Sequence, residues 1–183
     1  MATRVGLIVG SLRKGAYTRM LGNAVKELKP GSWTVTDLAI GDLPLYNQDL
    51  ETETPPPAWT AFRNQASACD GILIITPEYN RGMPGALKNA IDVGTRPWGK
   101  SFWKDRPTAA MSLTPGPLGA MAAHQNLRHT MSVIASPMMP GPEIYMPNAA
   151  SLFDESGTLK NEDTKKIVTS FLADFEKWIA RFR

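Results

Sequence analysis

The chain of 183 residues holds one cysteine, Cys69, and two histidines. A lone cysteine makes no internal disulfide, and so small a His/Cys set builds no zinc site. No apolar run approaches the roughly 18 residues of a membrane span, and the first ten residues lead straight into a strand pattern without signal-peptide anatomy. A cytoplasmic protein with no metal and no membrane contact is the expectation. Neither sign of charge dominates, because Lys+Arg 20 against Asp+Glu 17 leaves only +3. Spread along the chain, that excess is too small for a nucleic-acid face and amounts to a mild bias towards phosphate-bearing small molecules. Repeats and low-complexity tracts are also missing, and the one break in texture, the prolines of residues 52–57, reads as an extended connector within a domain. What remains, 43% hydrophobic and 20% charged, suits one globular domain over residues 1–183 with a sizeable core.

Hydrophobic spacing divides the chain into alternating strands and helices. Residues 4–9 read as a buried strand, and from residue 16 Met20, Leu21, Ala24, Val25 and Leu28 recur at helical spacing until Lys29-Pro30-Gly31 stops them. Residues 32–38 alternate and are rich in β-branched side chains. Residues 59–68 are helical, and residues 71–76 (GILIIT) form a continuous apolar run of the kind buried on both faces of a parallel sheet. A helix over 86–93, a strand over 108–113, a helix over 120–133 and a fifth strand over 134–139 follow. A last helix over 161–182 places Ile167, Val168, Phe171, Leu172, Phe175, Trp178, Ile179 and Phe182 on one stripe. Five such units make an α/β three-layer sandwich.

In folds of this class, ligands bind in the loops that leave the carboxyl ends of the strands. The first such loop runs Gly10-Ser11-Leu12-Arg13-Lys14-Gly15-Ala16-Tyr17-Thr18-Arg19. Helix-start amides, the hydroxyls of Ser11 and Thr18 and the Arg13 guanidinium are the components of a phosphate cradle. Gly10 and Gly15 have the spacing of a Walker A loop, but Ala16-Tyr17 stands where that motif needs Lys and Ser/Thr, and no GxGxxG occurs. ATPase and dinucleotide-fold readings are excluded. The loop after the third strand, Pro77-Glu78-Tyr79-Asn80-Arg81-Gly82-Met83-Pro84-Gly85, is rigid and close-approaching; Tyr79 suits a ring and Asn80 a heterocycle edge. Glu78 suits a helix cap. A third loop, Thr114-Pro115-Gly116-Pro117-Leu118-Gly119, again joins a strand to a helix.

Together with Arg96-Pro97-Trp98-Gly99 and Leu45-Tyr46-Asn47-Gln48-Asp49-Leu50, these loops resemble the NADPH-dependent FMN reductase family of flavodoxin-like enzymes, which includes bacterial quinone and chromate reductases. The resemblance covers nearly the whole chain. It implies a flavodoxin-like five-stranded parallel sheet of order 2-1-3-4-5, FMN as cofactor and NADPH or NADH as electron donor. Ser11, Arg13 and Thr18 would hold the phosphate, Pro77, Glu78, Tyr79 and Asn80 would line the isoalloxazine, and Thr114, Pro115 and Gly116 would close the third side. Arg81 and Lys14 are the cations placed to meet the dinucleotide. The implied acceptors are small molecules: quinones, flavins, azo compounds or chromate, reduced two electrons at a time in ping-pong order.

Ala16 and Thr18 replace the Ser and Asn of many relatives, so one phosphate hydroxyl is missing. Gly119-Ala120 stands at a Gly-Gly pair, and the following helix lacks the Arg-bearing pattern of some tetrameric relatives. A homodimer is the expectation, marked by Trp98, Phe102 and Trp103 in one connector, with a tetramer as the larger alternative. His124 and His129 fall on different helix faces, at surface or interface positions, and Cys69 is expected to be a packed, inert thiol. No catalytic triad or carboxylate pair is visible, so the chemistry belongs to the flavin. The alternative is a flavodoxin-type one-electron carrier, a class that tends to be acidic.

Overall fold

In the computed structural model, which describes residues 2–183, five parallel strands form one sheet in the order β2-β1-β3-β4-β5. They are β1 (Thr3–Val9), β2 (Trp33–Asp37), β3 (Gly71–Thr76), β4 (Thr108–Leu113) and β5 (Ile144–Met146). The centre of the sheet falls where the sequence is most uniformly apolar. Every residue of β3 and β4 is buried, as strands covered by helices on both sides must be. Alternation divides β3 between two cores: Leu73 and Ile75 face one, Ile72 and Ile74 the other. The register from Val5↔Gly71 to Val9↔Ile75 brings the ends of β1 and β3 level. The loops that leave those two strands are therefore neighbours.

Helices α1 (Tyr17–Leu28) and α5 (Glu162–Ala180) cover one face; α2 (Pro57–Ser67), α3 (Gly85–Gly94) and α4 (Met121–Val133) cover the other. Asn161 opens α5 by accepting the Thr164 N–H at 2.8 Å, a cap worth about 1 kcal/mol. Val168, Phe171, Leu172, Phe175 and Ile179 then bury one stripe of that helix. Phe175 meets the Trp33 ring edge-on at 5.9 Å, so truncating it to alanine would cost roughly 3–5 kcal/mol. Ile167 and Phe182, expected on the same stripe, lie largely exposed at its margins.

The fifth strand departs from its expected place. Residues 134–139 make only one bridge, Thr108↔Met138, before the chain leaves the sheet through Pro140-Gly141-Pro142 and rejoins β4 at Met111↔Ile144. The bridged positions are three residues apart on β4 and six apart on the facing segment. Two prolines that cannot donate to the ladder lie in that excursion. Ala135, left-handed at φ 56°, breaks the extended backbone before it, and Pro147 ends β5.

The connector after α3 also differs from expectation. Phe102 and Trp103 are core residues, 6% and 0% exposed, and only Trp98 stands out at 85%. Gly94 makes the room, since a Cβ there would run into both buried rings. The Trp103 indole N–H donates to the Ile91 carbonyl at 3.0 Å. Cys69 is buried as expected, and burial pushes its thiol above the ordinary range against the opposing pull of Arg106 and Arg4.

Candidate functional site

Three loops meet at the carboxyl ends of β1, β3 and β4. Ser11 and Arg13 come from the loop after β1, and Tyr17 and Thr18 from the first turn of α1. With Pro77–Tyr79 and Leu113–Pro115, they line a cleft of about 100 Å³. The cleft is small and open to solvent, and the groups that line it suit an anion of phosphate size. Larger cavities exist, among them one of about 420 Å³ beside α2. The buried arginine there, Arg63, is already bound to both oxygens of Glu51 at 2.9 and 2.7 Å and to the Val93 carbonyl. The smaller cleft combines the ends of β1, β3 and β4 with the start of α1 and the unpartnered Thr18 hydroxyl.

Its polar groups are set by local geometry. Ser11, 3% exposed, accepts the Arg13 N–H at 3.3 Å, which folds the loop back towards α1. The Ser11 hydroxyl also lies 3.3 Å from the Tyr79 hydroxyl. Thr18 is 2% exposed and its hydroxyl has no partner, although a buried polar group left unpaired costs about 1–3 kcal/mol. At the start of α1 the Arg19 and Met20 amides donate to the Ala16 carbonyl, the Tyr17 and Thr18 amides have no backbone acceptor, and Ala16 offers no side-chain cap. Arg13 and Lys14 are exposed and form no ion pair among the described residues. Unused donors and free cations around a phosphate-sized space fit an anionic group at this helix start.

The second loop turns on a two-residue hairpin. Tyr79 and Gly82 exchange backbone hydrogen bonds of 2.9 and 3.0 Å, and both central residues are left-handed, Asn80 at φ 52° and Arg81 at φ 65°. This is the mirror-image turn that prefers Asn-Gly, with arginine where glycine is favoured. Glu78 ties the turn to α4. One of its oxygens meets Arg81 at 3.2 Å and the other accepts the Ala123 N–H of α4 at 3.2 Å. Glu78 thus caps α4, whose own N-cap, Ala120, is left-handed and has no side-chain acceptor.

The third loop is tied down from its far side. The Thr114 N–H donates to Met146, and the carbonyls of Thr114 and Gly116 accept from Ala149 and Asn148. Gly119 is required where this loop enters α4, since it sits at φ +60° and a Cβ would come within 2.7 Å of the Tyr145 backbone.

The structure therefore gathers Ser11, Arg13, Thr18, Pro77, Glu78, Tyr79, Thr114 and Pro115 around one cleft. Asn80, Arg81, Lys14 and Gly116 sit at its rim, outside the lining. Tyr17 was missed as a cleft residue; its position at the first turn after a small-residue loop was the available signal. His124 is not at the surface as expected but 1% exposed, edge-on to the Tyr145 ring at 4.9 Å, with Nδ1 unpartnered. Burial and the neighbouring Arg128 push its pKa down to about 4 against the pull of Glu143. His129, on another face of α4, is exposed.

Residues 3–151 match the model of the NADPH-dependent FMN reductases. The chain belongs to that family. A quinone reductase of Pseudomonas putida is 46% identical over 96% of this chain and 94% of its own. A 2-hydroxy-1,4-benzoquinone reductase of a Burkholderia species is 38% identical, with 98% and 97% covered. FerB, a flavoenzyme NAD(P)H:(acceptor) oxidoreductase from Paracoccus denitrificans, superposes with a TM-score of 0.92 at 36% identity over 99% of both chains. A flavodoxin from Pseudomonas aeruginosa, 14% identical with a TM-score of 0.58, shares the fold alone. The protein is an NAD(P)H-dependent oxidoreductase with FMN as its cofactor. The unpartnered Thr18 hydroxyl in a phosphate-sized cleft fits the phosphate end of that cofactor.

Proposed function

We propose that the protein reduces quinones, and with them azo compounds, free flavins or chromate, by two-electron transfer from NADPH or NADH in ping-pong order. The carrying observation is the convergence of three strand-end loops on a cleft sized for phosphate, with Tyr79 and Asn80 exposed above it. Bound FMN supplies the hydride chemistry. Ser11, Arg13 and Thr18 hold the phosphate, Pro77 to Asn80 line the isoalloxazine, and Thr114 to Gly116 close the third side. Lys14, which forms no ion pair among the described residues, is a cation for the dinucleotide, while Arg81 shares its charge with Glu78. With no second nucleotide fingerprint in the sequence, donor and acceptor use one place in turn.

We read residues 1–183 as one FMN-binding domain working in the cytoplasm, where both dinucleotides are held. No helix among the described residues is long and apolar enough to cross a membrane. A homodimer is supported by Trp98 and by Leu45, 79% exposed, in a neighbouring segment, with Arg96 lying 5.7 Å from the Tyr46 ring and 5.4 Å from the Trp98 ring; a tetramer would pair two such dimers.

The test is the visible spectrum of purified protein, bleached anaerobically with NADPH, then initial rates over a grid of NADPH and quinone concentrations. Parallel double-reciprocal lines support the shared place; intersecting lines overturn it. Electron delivery only to a protein partner, with no quinone turnover, would assign the chain to one-electron carriage.

A further inference from the structure

We propose that Tyr79 is a phosphate ligand, and that its hydroxyl makes this site select FMN over riboflavin; the inference rests on the FMN reading above. Tyrosine beside a flavin suggests ring stacking, but here the hydroxyl reaches into the phosphate-sized cleft and lies 3.3 Å from Ser11 Oγ. Thr18 contributes to the same lining, and its hydroxyl beneath is buried and without a partner. Three hydroxyls, Arg13 and the α1 amides thus surround a volume with no acceptor suited to all of them. Ser11 already accepts the Arg13 N–H. A phosphate oxygen only accepts, so its arrival allows the Ser11, Thr18 and Tyr79 hydroxyls all to donate to it. Riboflavin ends in a hydroxyl and leaves most of these donors unmatched.

The backbone shows why Tyr79 can do this. Its N–H and C=O are both engaged with Gly82, and the two following residues are held left-handed. Non-glycine residues persist in that conformation when the surroundings over-determine it. Glu78 supplies the outer constraint by reaching Arg81 on one side and the Ala123 amide on the other. The hairpin is therefore a fixed mount that presents the Tyr79 hydroxyl to the first loop.

The experiment titrates flavin-free protein with FMN and with riboflavin, following quenching of flavin fluorescence, for the parent and for Tyr79→Phe. Removal of one charge-assisted hydrogen bond, about 1.5–3 kcal/mol, corresponds to a loss of roughly 10- to 150-fold in FMN affinity. Riboflavin affinity should stay within about twofold. A second measurement needs no flavin: inorganic phosphate should raise the melting temperature of the parent and raise that of Tyr79→Phe less. Equal weakening of FMN and riboflavin would overturn the proposal by showing that the hydroxyl acts on the loop and not on the phosphate, and unchanged FMN affinity would overturn it outright. Failure of the parent to bind FMN at all would instead overturn the reading beneath it.

Discussion

Arg81 occupies a left-handed backbone position at which a side chain costs about 1–2 kcal/mol and glycine costs none. Alanine is normally the more stabilising of the two small residues; at this position the order should invert. Urea denaturation of Arg81→Gly and Arg81→Ala, both lacking the exposed pair with Glu78, should find the glycine variant more stable by about 1 kcal/mol. The opposite order would show that the Tyr79–Gly82 turn takes another form in solution. Sequence reasoning reached Ser11, Arg13 and Thr18 because they share one short loop, where adjacency already implies proximity. It offered Glu78 as a helix cap but could not say that the helix is α4. The acceptor is visible as a letter, but its donor is a backbone amide 45 residues away, and every residue except proline has one of those.

At the level of elements, strands β3 and β4 were legible to the residue because burial on both faces leaves an unbroken apolar run. Strand β5 was not. It is three residues long, and the more strand-like segment before it is bent away by Ala135 and followed by two prolines. Helix α4 hid its buried histidine for a related reason: periodicity places a side chain on a face but does not say that Tyr145 covers that face. The consequence is measurable as acid sensitivity. Unfolded, His124 titrates near 6.5; folded, near 4. Between those values the unfolded chain takes up a proton that the folded chain refuses, so stability is full above pH 6.5 and falls as pH drops towards 4. At about 1.4 kcal/mol per pH unit the loss reaches about 3 kcal/mol. The groups facing the imidazole are Arg128, Glu143 and Tyr145. Exposed carboxylates add their own acid limb, so the informative quantity is the difference from His124→Phe. That variant should flatten the decline between pH 6.5 and 4, and an unchanged slope would place the proton uptake elsewhere.

Across the whole molecule, surface charge is arranged in two opposed stretches. Residues 42–53 carry Asp42, Asp49 and Glu53, besides the Glu51 held by Arg63, without a base, and residues 95–104 carry Arg96, Lys100 and Lys104 without an acid. Two copies related by a two-fold axis can lay each stretch against the other, with Trp98 and Leu45 between them. Light scattering should report twice the 20.0 kDa of one chain, and Trp98→Asp should shift the protein towards the monomer by placing a charge in the apolar centre. A monomeric parent at high concentration with full activity would remove the dimer. The three-layer architecture, unlike this surface, was readable from alternation, because a β-α-β chain leaves few ways to cover both faces of a sheet, whereas the strand order followed from the family resemblance.

The brevity of β5 matters for how such a chain survives at high concentration. A parallel sheet has two open borders, and each is a template onto which a foreign strand can grow. Here one border is only three residues long and is bracketed by Pro142 and Pro147, neither of which has an amide hydrogen to offer. The other, β2, carries Thr34, Thr36 and Asp37, with Lys26 anchoring the aspartate at 2.6 Å. Ribbon-like polymerisation through the sheet is thereby discouraged at both ends, and self-association is left to the side-chain surface where it can close on itself.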